Sequence, residues 1–156
     1  MKFKEYVDVE YQVESYFINV MESFDIPAPV KTIINNTDNF KTSFTVNDVK
    51  YYFDSLIRNR TAIIIFYPWD GIDIFKERKS PKYVGKVFAS VLKSVELLLE
   101  SVDIDIIGFT AEYESLKDIY KLMEPILLKR FKDWYVYNKG INSNGKFQYT
   151  YKRKTA

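Results

Sequence analysis

The chain has 156 residues, 47% of them apolar and 17% aromatic, and a formal net charge of +2. That suffices for one globular domain with a proper core, and it gives no strong field to draw nucleic acid or an anionic membrane onto the whole surface. There is no Cys and no His, which excludes disulfides, thiolate catalysis, Cys-based zinc sites and every mechanism built on a histidine base; acid–base chemistry would fall to Asp, Glu, Tyr, Lys or water.

Val9, Val13, Tyr16, Phe17, Val20, Met21 and Phe24 fall close to helical spacing and predict a helix over roughly 8–24. The alternation of Val7, Val9 and Tyr11 leaves a strand open for the first residues. Ile26-Pro27-Ala28-Pro29 ends this N-terminal helical segment, residues 1–29, because proline cannot continue a helix. Met1 to Glu5 lead into mixed polar sequence rather than an apolar signal core. No run approaches the roughly 20 apolar residues of a membrane span. The expectation is a cytoplasmic protein with no membrane association.

Four extended runs follow over residues 30–69: Val30–Asn35, Phe40–Val46, Val49–Ile57 and Ala62–Trp69. Asn-, Asp- and Thr-rich turns separate them, so sequential antiparallel pairing is the simplest topology. Ile63-Ile64-Ile65-Phe66 is apolar without alternation, as in a central strand covered on both faces. Pro68–Lys82 reads as a loop.

Residues 81–156 read as helix, strand, helix and hairpin. Val84, Val87, Phe88, Val91, Leu92, Val95, Leu98 and Leu99 form one apolar stripe, so a helix spans about 81–101 with Pro81 in its first turn. Asp103–Phe109 is a short strand. A second helix runs from about Glu112 to Phe131, with Leu116, Ile119, Tyr120, Met123, Ile126 and Leu127 on its apolar face; Pro125 should kink or split it. Trp134–Asn138 and Lys146–Lys152 form a hairpin across the turn-rich Lys139–Gly145. The fold class is α+β: one domain, a mostly antiparallel sheet flanked by helices, and a C-terminal β-hairpin.

Lys82-Tyr83-Val84-Gly85-Lys86-Val87-Phe88-Ala89-Ser90-Val91, then Ile106-Ile107-Gly108-Phe109-Thr110-Ala111, then Leu116 to Tyr120 resemble the central helix, strand and following helix of GCN5-related N-acetyltransferase (GNAT)-like proteins of the kind encoded by phages. With the element order, the resemblance covers about the last three-quarters of the chain. It implies acetyl-CoA as cofactor, lying between the 62–69 and 104–110 strands. It also implies a pyrophosphate loop at the N-terminus of the central helix, where backbone N–H groups and the helix dipole favour phosphate. Arg78, Lys79, Lys82 and Gly85 fall in that stretch. Tyr120 falls where catalytic members carry the general acid, and a phenol with a pKa near ~10 can protonate a thiolate. The stretch departs from the family pattern: it has one glycine, Pro81 removes a donor, and Tyr83 adds bulk. The family's usual pair of helices after the first strand is not evident either.

Each candidate has a plainer alternative. Lys76, Arg78, Lys79 and Lys82 could form a solvated loop among Asp70, Asp73 and Glu77. Tyr120 could be a core aromatic, as its place on the stripe suggests. Glu112 and Glu114 could act as a base through water, or simply complement a helix dipole. Trp69 and Trp134 could anchor a partner or pack. Tyr149, Tyr151, Lys152, Arg153 and Lys154 interleave aromatic and basic groups like a nucleic-acid surface, but fit equally a final strand with a solvated tail. Three functional readings follow. The first is a GNAT-like binding or accessory protein without acetyl transfer, needing no cofactor and taking a protein partner or a second copy, with nucleic acid not expected. The second is an acetyl-CoA-dependent N-acetyltransferase with a divergent loop. The third is a structural, virion-associated oligomeric protein.

Overall fold

Two tight turns set the register of the first half. Asn47 and Asp48 have φ of 47° and 67°, Asn59 and Arg60 of 51° and 62°. Left-handed backbone at both central positions is the two-residue connection whose twist matches that of paired strands, and Asn and Asp tolerate it best. In the computed structural model, which describes residues 26–71, 81–111 and 114–155, these turns join β2 (Asn39–Val46) to β3 (Val49–Arg58), and β3 to β4 (Thr61–Pro68). The preceding strand, β1 (Lys31–Asn35), meets β2 across a turn in which the Asn36 side-chain oxygen accepts the N–H groups of Asp38 and Asn39. The four strands pair antiparallel in sequence order, as expected. The N-terminal helix read over 8–24 lies outside the described residues.

After β4 come α1 (Pro81–Ser101), β5 (Ile106–Ala111), α2 (Glu114–Arg130), β6 (Trp134–Ile141) and β7 (Phe147–Arg153). All seven strands form one sheet in the order β1-β2-β3-β4-β5-β7-β6. Only the β4–β5 pairing is parallel. Among the described residues the result is an α+β fold with a mostly antiparallel sheet and two helices. Among the described residues no helix is long and apolar enough to cross a membrane.

One face of the sheet carries the core. Phe40, Phe53, Ile64, Phe66, Phe109, Tyr149 and Tyr151 project from it and are buried under Val84, Val87, Phe88, Val91, Leu92 and Val95 of α1, and under Tyr120, Met123 and Leu127 of α2. Burying each such side chain stabilises by about 1.5–3 kcal/mol before conformational entropy is charged against it. Gly85, Ala89, Ser90 and Ser94 are buried too and let α1 lie close to the strands. Their hydroxyls are all engaged. Ser90 accepts the N–H of Ala28 at 2.9 Å and donates to the Lys86 carbonyl; Ser94 donates to the Ser90 carbonyl and meets the Thr42 hydroxyl at 2.8 Å.

Four local expectations change. The strand read over Asp103–Phe109 begins only at Ile106 and runs to Ala111. Residues 63–66 are not covered evenly: Ile64 and Phe66 are buried, while Ile63 and Ile65 are half-buried on the opposite face. α2 runs unbroken through Pro125. β6 continues to Ile141, beyond the expected end at Asn138, because a register shift between Val136 and Asn138 absorbs Tyr137 as an extra residue and pairing then resumes.

Candidate functional site

The chain order places α1 between two parallel strands, and the sheet forks where they part. Parallel pairing joins Thr61 to Ile106 and ends at Ile64 and Phe109. β4 runs on to Pro68 and β5 to Ala111, without further pairing to each other. Beyond the last rung, β4 is held by β3 and β5 by β7, both antiparallel. A fork of this kind exposes backbone donors and acceptors that a ligand or a side chain must satisfy.

In this chain a side chain enters. Tyr120 of α2 is 0% exposed, and its hydroxyl donates to the Thr110 carbonyl at 3.2 Å. Thr110 is the first β5 residue beyond the parallel ladder. The phenol ring stands among Phe109, Phe88, Tyr149 and Phe66, with centroid distances of 5.5, 6.3, 6.3 and 6.4 Å. Three of these four contacts are edge-to-face, the arrangement that aromatic quadrupoles favour. On its helix-covered side the fork is therefore packed with aromatic rings.

Tyr83 does not enter the fork. It is 7% exposed, and its hydroxyl shares a 2.7 Å hydrogen bond with that of Tyr51 on β3. Tyr51 in turn stacks on Phe44 at 5.6 Å.

The remaining sequence candidates scatter. Lys82 is exposed on the first turn of α1, whereas Gly85, one turn later, is buried. Arg78 and Lys79, together with Lys76 and Glu112, lie outside the described residues, and Glu114 opens α2. Trp134 is buried, with the Arg153 guanidinium 5.2 Å from its ring centre, but Trp69 is 65% exposed. Tyr149 and Tyr151 face the core rather than solvent. Burial holds the Tyr151 hydroxyl well above the ordinary tyrosine range, with the nearby Glu124 carboxylate adding to it.

Two polar features escaped the sequence reading. On the face opposite the helices, Gln148 lies across Gly108: its side-chain oxygen accepts from Asn142 Nδ2 at 3.1 Å and Thr110 Oγ1 at 3.4 Å, while its Nε2 donates to Thr150 Oγ1 at 3.4 Å. A Cβ at position 108 would sit 2.6 Å from Gln148 Nε2, so glycine is what makes room. At the other end of the sheet, a cleft of about 740 Å³ lies between the β1–β2 turn, the β3–β4 turn and the end of α1. Arg60 borders it and is committed to Asp103 and Asp105. The sequence marked the turns at 35–39, 58–60 and 139–145 that contribute to these features, but not what they bring together. Among the described residues, no three acidic side chains are placed to hold a metal ion. Comparison of the chain with protein-family models, curated proteins and solved structures gave no match.

Proposed function

We propose that this chain is a non-catalytic binding protein on a GNAT-like scaffold, of the kind phages encode. The observation that carries the reading is the Tyr120 hydroxyl on the Thr110 carbonyl, inside a closed set of aromatic rings at the fork. The strand order, with its single parallel join between β4 and β5, supports the scaffold. In the acetyltransferases that this chain resembles, the coenzyme lies between the corresponding strands. Here a fully buried phenol and four rings occupy the helix side of that space, and the phenol's proton is committed to a backbone oxygen. A general acid must reach the leaving group, and this geometry gives it a structural partner instead. Isothermal titration with acetyl-CoA tests the reading: no binding heat is expected, and micromolar affinity would overturn it.

The parting of the strands beyond Ile64 and Phe109 favours a second reading, an acetyl-CoA-dependent N-acetyltransferase with a divergent loop, its coenzyme between the two strands and Tyr120 as general acid. Tyr120→Phe separates the two. A folded variant with reduced acetyl transfer supports the enzyme; a preparation with no turnover before or after the substitution supports the binding protein.

A further inference from the structure

The face of the sheet turned away from the helices carries a small aromatic and basic platform at the end of β4. Tyr52 and Tyr67 lie directly opposite each other on β3 and β4, with ring centres 5.6 Å apart. Trp69 stands two residues beyond Tyr67, so strand alternation puts it on the same face; its N–H bonds the Lys50 carbonyl and extends the pairing by one residue. Among the described residues its indole makes no ring, cation or side-chain hydrogen-bond contact, and it is 65% exposed. Lys41 Nζ sits 4.7 Å from the Tyr52 ring centre and 5.9 Å from that of Tyr67, and Lys50 Nζ sits 5.4 Å from Tyr52.

Among the described residues neither lysine forms an ion pair with a carboxylate. Asp54 is directly opposite Lys41 across β2 and β3, yet the ammonium is turned to the rings and Asp54 Oδ1 is left buried without a hydrogen bond. An exposed, flat indole near two ammonium groups that are turned to aromatic rings rather than to a carboxylate has the two parts of a single-strand site: a face for a base to stack on, and cations for the backbone. We infer that this platform binds single-stranded nucleic acid, with Trp69 stacking on a base and Lys41 and Lys50 facing phosphates. The net charge of +2 describes the whole surface, whereas this patch gathers two lysines and three aromatic rings, with Asp54 opposite Lys41. The inference concerns a face separate from the aromatic packing around Tyr120 and holds whether or not acetyl-CoA binds.

Fluorescence anisotropy with labelled oligothymidylate and oligouridylate, each about ten nucleotides long, tests it. Saturable binding of either is expected, and the pair of probes tells DNA from RNA. Trp69→Ala should weaken it about tenfold. Lys50→Gln should lower the slope of log affinity against log salt by about 0.7. Both positions are exposed, circular dichroism checks that each variant is folded, and each variant gives an independent readout. No anisotropy change with either probe up to about 100 µM, the weak end of non-specific binding, would overturn the inference. So would affinity unchanged by Trp69→Ala, or equal competition by a polyglutamate peptide, which carries charge without bases.

Discussion

Arg60 grips Asp105 with two hydrogen bonds at once: Nε donates to Oδ2 at 2.5 Å and Nη2 to Oδ1 at 2.9 Å, while Nη1 reaches Asp103. The Arg60 carbonyl also accepts the N–H groups of Asp105 and Ile106. The turn between β3 and β4 is thereby fastened to the start of β5 by both side chain and backbone. Arg60 holds a left-handed φ of 62°, a conformation that costs a residue with a Cβ of its size. The clamp offsets that cost, and a planar guanidinium forks onto a carboxylate as lysine cannot.

The hydrogen bond from Arg60 holds the Asp105 carboxyl below its ordinary value of 3.8, and Arg153 and Lys152 add attraction. The unfolded chain thus binds this proton more tightly than the folded one. The clamp's contribution is complete above the ordinary value and is lost as pH falls through the lowered one. Asp105→Asn should therefore melt below wild type at neutral pH, and the two thermal midpoints should converge as pH falls below the ordinary carboxylate range. A gap independent of pH would show that the carboxylate is not the stabilising group.

Tyr120→Phe should cost about 1–2 kcal/mol in urea unfolding, because the hydroxyl that satisfies the Thr110 carbonyl is removed from a fully buried site. Tyr120→Ala should cost about 3–5 kcal/mol, since it also empties the space between four rings. A Phe variant as stable as wild type would mean that the carbonyl finds another donor.

Thr42 and Ser94 form a buried hydroxyl pair that fixes α1 against β2. Thr42→Val or Ser94→Ala alone should destabilise by about 1–2 kcal/mol, the second leaving the Thr42 hydroxyl unmatched and the first leaving Ser94 only its bond to the Ser90 carbonyl. The double variant should cost less than the sum, giving a coupling of about 0.5 kcal/mol or more in a double-mutant cycle. Strict additivity would remove the pair from the account of how the helix is seated.

Gly108→Ala should destabilise by about 1–3 kcal/mol by overpacking, because the new methyl would lie 2.6 Å from Gln148 Nε2 and 3.0 Å from Ile63 Cδ1. Adding Gln148→Ala should restore most of the loss. If it does not, the Ile63 side chain is the obstacle.

The clearest parts of this fold in the sequence were those fixed by local pattern. The apolar stripe from Val84 to Leu99 defined α1, which spans Pro81–Ser101. Asn47-Asp48 and Asn59-Arg60 marked turns whose backbone few residue pairs accommodate. What pattern misled about was set by partners. Asp103-Ile104-Asp105 alternates like a strand, yet pairing begins only at Ile106 because the two aspartates serve Arg60. β6 outran its expected length because a bulge at Tyr137 breaks the alternation without ending the strand. The burial of Tyr120 was readable from its place on a helical stripe. Its bond to Thr110 was not, because that depends on where two parallel strands stop pairing. The exposed indole of Trp69 depends likewise on a tertiary placement that one sequence does not encode locally.

The parallel join of β4 to β5 spans only four residue pairs, Thr61–Ile106 to Ile64–Phe109. On one side of it the strands follow one another through short turns; on the other, β5 to β7 pair among themselves. The join requires the chain to close a long loop carrying all of α1, and at four residue pairs it is the shorter of the two pairings that β5 makes. Loop closure of that length is entropically costly, and contacts so distant in sequence form slowly. The two halves of the sheet should therefore organise first and dock at this seam last. Native-state hydrogen exchange would then find the amides of Ile107 and Phe109 opening with the seam, and those in the middle of β3 holding until the whole molecule unfolds.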